Sequence, residues 1–256
     1  MEKFRFGGIE RLCGKNGYEK LKNSHVLVIG LGGVGSWTAE ALARSGIGQL
    51  TIMDPDSVCV TNINRQLVAL ENTVGLSKCQ VLHDRIKLIN PDCHVNMIED
   101  FFNEDTVDEV FSKTYHFAFD GIDRLKNKIL FINSCQKNNV PFIISGGAGG
   151  KIDPSLIRIA DLGESYRDKL LFRVRKKLRQ DFGHPKGKQK KMGIKCVFSP
   201  EQTRFPKSDG SVCIFPEGDS PKKLDCHGSI GSCTHTTAIF GMLAAGHMIK
   251  KLIGEN

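Results

Sequence analysis

The sequence GLGGVG at 30–35 directly follows a short apolar run and precedes a stretch of helix-forming residues. Glycines at Gly30, Gly32, Gly33 and Gly35 let the backbone approach a phosphate, and the helix that follows offers free amides and the positive end of its dipole. Asp54 closes the next apolar run, where a carboxylate can accept ribose hydroxyls. On these residues alone NAD, FAD and ATP are all candidates. The next residues separate them. Asn62, Asn64, Arg65 and Gln66 come after Asp54, then Lys78 at a helix start and Asp120-Gly-Ile-Asp123 at a strand end. An Asn, an Arg and a Lys converging on a phosphate loop suit a triphosphate better than a nicotinamide. A carboxylate at the strand end can hold Mg²⁺ between phosphate oxygens. Singly, Arg65 and Lys78 could be solvated surface charges, and Asp120 and Asp123 helix caps. Together they read as a nucleotide site.

Such a site must be held by strands and helices in alternation, and the chain supplies them. Apolar runs predict strands at 26–29, 50–53, 94–98, 115–119 and 141–145. Helical stretches fall at 36–45, 77–89 and 124–137, with Gly46 and Asn90-Pro91 as stops. This alternation implies an α/β, Rossmann-like fold, with a mainly parallel sheet covered by helices on both faces. It accounts for 1–150, the ATP-binding part. A smaller C-terminal part, 151–256, extends the same continuous domain, with strands predicted at 156–160 and 196–199. The apolar stretch 236–249 contains His247 and runs into Lys250-Lys251. It is short for a membrane span and reads as a packed helix.

Glycine is over-represented among the 256 residues, with 27 of them, and ten fall in 30–48 and 146–150. The charge is also uneven. Segment 167–195 carries twelve Lys/Arg and two Asp, a local +10, so the rest of a chain of net +8 sums to −2. A polyanion is therefore expected on that segment. The nine cysteines form no C-x-x-C pair, which argues against a zinc ribbon. The N-terminal residues show no signal-peptide pattern, so free thiols in a reducing cytosol are expected.

The motifs at 30–36, Asp54, Asn62, Asn64-Arg65-Gln66, Lys78 and Asp120-Gly-Ile-Asp123 resemble the adenylation domain of ubiquitin-activating enzymes. Bacterial relatives with that domain activate sulfur-carrier proteins for thiamine and molybdopterin. Arg5-Phe-Gly-Gly8, Val58-Cys-Val-Thr-Asn62, the 146–154 segment, Cys196-Val-Phe-Ser199 and Ser208-Asp-Gly-Ser-Val-Cys213 resemble the branch of tRNA threonylcarbamoyladenosine dehydratases. The resemblance spans nearly the whole chain.

It implies ATP, with Mg²⁺ and an optional monovalent cation, and tRNA carrying threonylcarbamoyladenosine rather than DNA as the polyanion. The glycines would shape the nucleotide loop, Asp54 would hold the ribose, and Asn62, Arg65 and Lys78 would contact phosphates. Asp120 would position Mg²⁺ and the α-phosphate, making Arg65, Lys78 and Asp120 the catalytic set, with Asn64, Gln66 and Asp123 around the nucleotide. Family members commonly carry a second N-terminal arginine that reaches the partner subunit's ATP. Gly8 occupies that position here, and Arg11, about one turn on, is the substitute.

A homodimer, a sulfur-transferase (cysteine desulfurase) system as partner, and a cytoplasmic location with optional peripheral membrane association follow from the resemblance alone. On the basic segment, Arg173, Arg175, Lys176, Lys177, Arg179, Lys186, Lys188, Lys190 and Lys191 would contact tRNA phosphates. Three other readings compete: an activator of a ubiquitin-like sulfur carrier, a nicotinamide oxidoreductase, and a non-catalytic RNA-binding module. Cys196, Cys213, Cys226 and Cys233 are the cysteines placed where a thioester-forming residue would sit, each otherwise a small buried hydrophobe. His227, His235 and His247 have no metal-site spacing.

Overall fold

A run of apolar residues without polar alternation is stable as a strand only when both of its faces are covered. The computed structural model, which describes residues 2–187, 190–215 and 230–255 (backbone only at 2 and 3), covers them with two helical layers. The described chain begins with α1 (Glu2–Arg5) and α2 (Gly7–Lys22). It then alternates through β1 (His25–Ile29), α3 (Gly35–Arg44), β2 (Gln49–Met53), α4 (Lys78–Ile89), β3 (His94–Ile98) and α5 (Val107–Val110). Next come β4 (Phe117–Asp120), α6 (Leu125–Lys137), β5 (Phe142–Ser145), β6 (Arg158–Asp161), α7 (Lys169–Asp181) and β7 (Lys195–Phe198). A two-stranded pair, β8 (Phe205–Pro206) and β9 (Val212–Cys213), precedes α8 (Thr234–Ile253).

Seven strands form one sheet in the order β3-β2-β1-β4-β5-β7-β6. Every neighbouring pair is parallel except β6–β7. Because side chains alternate along a strand, each strand serves both cores. Val26, Val28, Leu50 and Ile52 pack with Leu42 of α3, Leu82 of α4 and Phe240 of α8. Leu27, Ile29, Ala118 and Ile144 pack on the other face with Phe131 of α6 and Leu171, Val174 and Leu178 of α7. Each such side chain removed from water contributes about 1.5–3 kcal/mol. Strand β7 inserts between β5 and β6, so segments after residue 150 complete the sheet begun before it.

The strand and helix expectations hold with shifts of up to two residues, except that α8 runs four residues past the expected end at 249. β4 starts at Phe117 rather than Tyr115, whose hydroxyl turns away to donate to the Val110 carbonyl at 2.9 Å. β6 starts at Arg158 because Pro154–Leu156 forms a short 3₁₀ turn capped by the Asp153 side chain. The N-terminal helices were not expected. α2 contains four glycines and kinks at Gly14, whose φ is 72°. Among the described residues no helix is long and apolar enough to cross a membrane.

Candidate active site

In an open parallel sheet, ligands bind beyond the strand C-termini where successive connections diverge to opposite sides. Here that point lies between β1, whose next neighbour outward is β2, and β4, whose next neighbour outward is β5. The backbones at this point touch. The Gly121 amide donates to the Ile29 carbonyl at 2.8 Å, and the Gly30 amide to Met53 at 2.8 Å. Gly30 has φ of 83°, and a Cβ on it would lie 2.9 Å from the Gly121 carbonyl carbon. A Cβ on Gly35 would overlap the Gly30 carbonyl oxygen. The loop therefore brings the N-terminus of α3 down onto the strand ends as only glycine permits.

Asp54 holds this loop from the side. Its Oδ2 accepts from the Leu31 amide at 2.6 Å, and its Oδ1 from the Asp56 amide at 3.0 Å. Lys78, the first residue of α4 and 4% exposed, sends its ammonium to Asp56 at 2.7 Å and Asp54 at 3.3 Å. Ser77 caps that helix and so fixes where the lysine emerges. The segment from 60 to 66 closes the opposite wall. Asn62 is buried, with its Oδ1 accepting from the Cys59 amide at 3.1 Å. Arg65 is steered by the Thr61 carbonyl at 2.7 Å and by Asn64 Oδ1 at 3.0 Å, and its side chain lies beside Gly33. Asn64 donates to the Ser232 carbonyl at 2.9 Å, tying this wall to the start of α8. Gln66 lies beside Gly32, buried, and its Oε1 has no hydrogen-bond partner. An orphaned buried oxygen is costly unless a ligand satisfies it, which makes it a mark of a binding site.

The two aspartates after β4 part company. Asp120 is fully buried: Oδ2 takes the Lys128 ammonium at 2.5 Å and Oδ1 the Ile122 amide at 2.7 Å. Lys128 also donates to the Ser145 carbonyl at 3.0 Å, joining the ends of β4 and β5. This carboxylate is therefore tied into the floor, with one oxygen on Lys128 and the other on the Ile122 amide. Asp123, two residues beyond Gly121, is exposed, as is Asp56 beside Lys78. Arg11 lies exposed on α2 with its guanidinium over Gly7 and Gly8, apart from the side chains gathered at the glycine loop.

Burial pushes the thiols of Cys79 and Cys196 up to about 12 and that of Cys93 to about 11, so these stay protonated at neutral pH. Cys213 lies in β9, and Cys233 caps α8 with its Sγ 3.4 Å from His235 Nε2. Cys226 and His227 lie outside the described residues, as does Lys188.

The basic segment divides in a similar way. Asp168 caps α7 through the Leu171 amide at 2.8 Å and holds the Gly147 amide at 2.8 Å, fixing the glycine-rich turn after β5. Arg173, Lys176 and Lys177 are exposed on α7, Lys177 paired one turn on with Asp181 at 2.5 Å. Two other cations serve the protein itself. Arg175 bonds Ser165 and the Leu162 carbonyl, and Arg179 reaches the carbonyls of Pro185 and Gly187 at 2.9 and 2.8 Å. Asp161 accepts from the Met192 and Gly193 amides, so these two residues lie at the β7 entrance, the edge opposite the glycine loop.

A family model described as the ThiF family matches residues 8–256. The chain belongs to the ThiF family. This ThiF-family chain is 44% identical to the tRNA threonylcarbamoyladenosine dehydratase of Escherichia coli (strain K12), over 98% of its own length and 94% of that protein's. A solved structure of the E. coli tRNA N6-threonylcarbamoyladenosine dehydratase in complex with ATP superposes with a TM-score of 0.85 at 40% identity, covering 98% of this chain and 94% of that one. The complex of that enzyme with AMP gives 0.86 at 42% identity, with the same coverage. The structure brings Gly30, Asp54, Asn62, Arg65, Gln66 and Lys78, all singled out in the sequence, to this end of the sheet. The sequence did not single out Lys128 or Asp168, which meet their partners across element boundaries and leave no periodic signal.

Proposed function

We propose that this protein is an ATP-dependent dehydratase acting on threonylcarbamoyladenosine in tRNA, on the adenosine just 3′ of the anticodon. The observation that carries the nucleotide part is the cradle at Gly30, Gly35 and Gly121, where no Cβ fits, beside the unsatisfied Gln66 oxygen. The tRNA part is supported by the relatives' name over nearly the full chain and by the cationic face of α7.

The substrate carboxylate is a poor electrophile until it bears a leaving group. Its oxygen attacks the α-phosphate of ATP and pyrophosphate departs. The neighbouring carbamoyl group then closes a ring on the activated carbonyl and loses a proton, and AMP leaves. The amides at the α3 N-terminus hold the phosphates. Arg65 and Lys78 neutralise charge developing at the α-phosphate, each worth on the order of 10²–10³ in rate. Asp54, already fixed by Leu31, keeps lone pairs for ribose hydroxyls. Mg²⁺ would supply further charge neutralisation, and Asp123 would hold it, since one carboxylate together with a nucleotide's phosphates suffices for this ion. In a homodimer Arg11 would reach the partner's nucleotide. Free thiols, such as those of Cys79, Cys93 and Cys196, are compatible with a reducing cytosol as the compartment we propose.

Incubation with ATP, Mg²⁺ and tRNA bearing threonylcarbamoyladenosine, followed by mass analysis of nucleosides, tests this directly. Loss of one water's mass from that nucleoside, dependent on ATP, is expected. An unchanged nucleoside with correctly folded, ATP-binding protein would sink the reading.

A further inference from the structure

A cavity of about 790 Å³ opens on the other half of the sheet edge, lined by Arg158, Tyr166, Arg167, Arg204, Val212 and Phe215 among others. Its position follows from strand direction. β6 runs against β7, so Arg158 at the start of β6 pairs with Phe198 at the end of β7. Both therefore reach the edge that carries the glycine loop. From β1 to β7 is three strand steps, roughly 14 Å at about 4.8 Å each. The segment after Gly150 forms the partition: Lys151 donates to the Arg167 carbonyl at 3.4 Å and to the Glu201 carbonyl, both on cavity residues.

The lining combines flat rings with guanidinium groups. The Arg158 guanidinium lies over the rings of Tyr166 and Phe198, 5.4 and 5.5 Å from their centroids, and donates to the Tyr166 hydroxyl at 2.5 Å. Phe215 is 73% exposed and Val212 60%, large apolar groups left in water at the mouth. Arg204 is exposed, 3.9 Å from Glu201 Oε1. The other oxygen of Glu201 accepts the amides of Ile152 and Asp153, both at 3.0 Å. Three arginines thus line a cavity whose carboxylate, Glu201, is largely committed elsewhere. Unpaired RNA bases bind by stacking on aromatic rings and arginine planes, with phosphates on the cations.

We propose that this cavity holds an unpaired nucleotide of the anticodon loop flanking the modified adenosine. Its base stacks on Phe215 and the Tyr166 side, and its phosphate lies on Arg204 and Arg167. The neighbouring nucleotide then delivers its carboxylate along the sheet edge to the α-phosphate. This rests on the tRNA reading above and names the subsite within it.

The test uses the full chain and an RNA anticodon stem-loop carrying threonylcarbamoyladenosine, with binding read by fluorescence anisotropy across a salt series. Phe215→Ala and Arg204→Ala, both at exposed positions, should each weaken binding about fivefold or more. Arg204→Ala should also lower the salt slope by about one, whereas Phe215→Ala should leave it unchanged. ATP affinity should stay within twofold, which also verifies folding. Affinities within twofold of the parent for both variants overturn the proposal. If the parent binds this RNA but leaves its nucleoside unchanged, the dehydratase reading fails, and the affinity comparison still decides the cavity.

Discussion

At the β1–β4 half of the sheet edge the charges are buried and matched, Asp54 with Lys78 and Asp120 with Lys128. At the β7–β6 half, Arg158, Arg167 and Arg204 stand in solvent among exposed rings. The first half is pre-set by desolvated pairs whose geometry cannot relax without cost. The second is an adjustable, salt-screened grip. On the proposed reading, one edge would carry a rigid seat for a small nucleotide and a tolerant surface for a large polyanion. The requirement would differ because chemistry would occur in the first and only placement in the second.

The sharpest way to break this contrast is to unpair the floor. Lys128→Met leaves the Asp120 carboxylate buried without a partner and should cost about 3–5 kcal/mol in denaturant unfolding. A loss under 1 kcal/mol would show that this half is not set by its ion pair. Lys78→Ala and Arg65→Ala should lower pyrophosphate release by about 10²–10³ while stem-loop affinity stays within twofold. Equal losses in both assays would erase the division between the halves.

A pH effect belongs to the buried side as well. Burial depresses His25 from 6.5 to about 4, and its ring is bonded to Thr51 at 2.8 Å. The unfolded chain takes up a proton first as pH falls, so the stability from a neutral His25 is intact above about 6.5 and is lost progressively towards about 4. His25→Gln should flatten that part of a stability-versus-pH curve, and an unchanged curve would remove His25 as its source. The smallest effect is expected at the far edge. Replacing Lys186, Lys190 and Lys191 by alanine should weaken tRNA affinity only a few-fold at low salt and flatten its salt slope. Turnover of bound tRNA should be unaltered, and a slowed chemical step would place that loop nearer the site than its strand edge allows.

Much of the first half was legible in the sequence because its determinants are local. Apolar runs gave β1 to β5, and the glycine spacing gave the cradle. The burial of Asp120 was not legible in the sequence, for a physical reason. Its partner Lys128 is eight residues away, across a strand end and a helix start, and such a pairing has no periodicity. Strand direction was also invisible. The composition of 156–160 predicts a strand, but not that it runs antiparallel, and that direction is what brings Arg158 to the edge. Likewise the charge count of 167–195 could not distinguish Arg175 and Arg179, which bond their own loops, from Arg173, Lys176 and Lys177, which face solvent.

The Lys128 ammonium, fastened to Asp120 on one strand and to the Ser145 carbonyl on the next, has a dynamic consequence. It works as a staple between the two strands that separate the nucleotide seat from the arginine-lined cavity. Local opening at either rim must stop there, because breaking the staple exposes a buried charge and admits water into the centre of the sheet. Amide hydrogens at Gly121 and Ile122 should therefore exchange only with global unfolding, whereas those around Phe215 exchange through small fluctuations. The distance between the two halves is a fixed dimension of the molecule, and an RNA engaging both would be the part that bends to meet it.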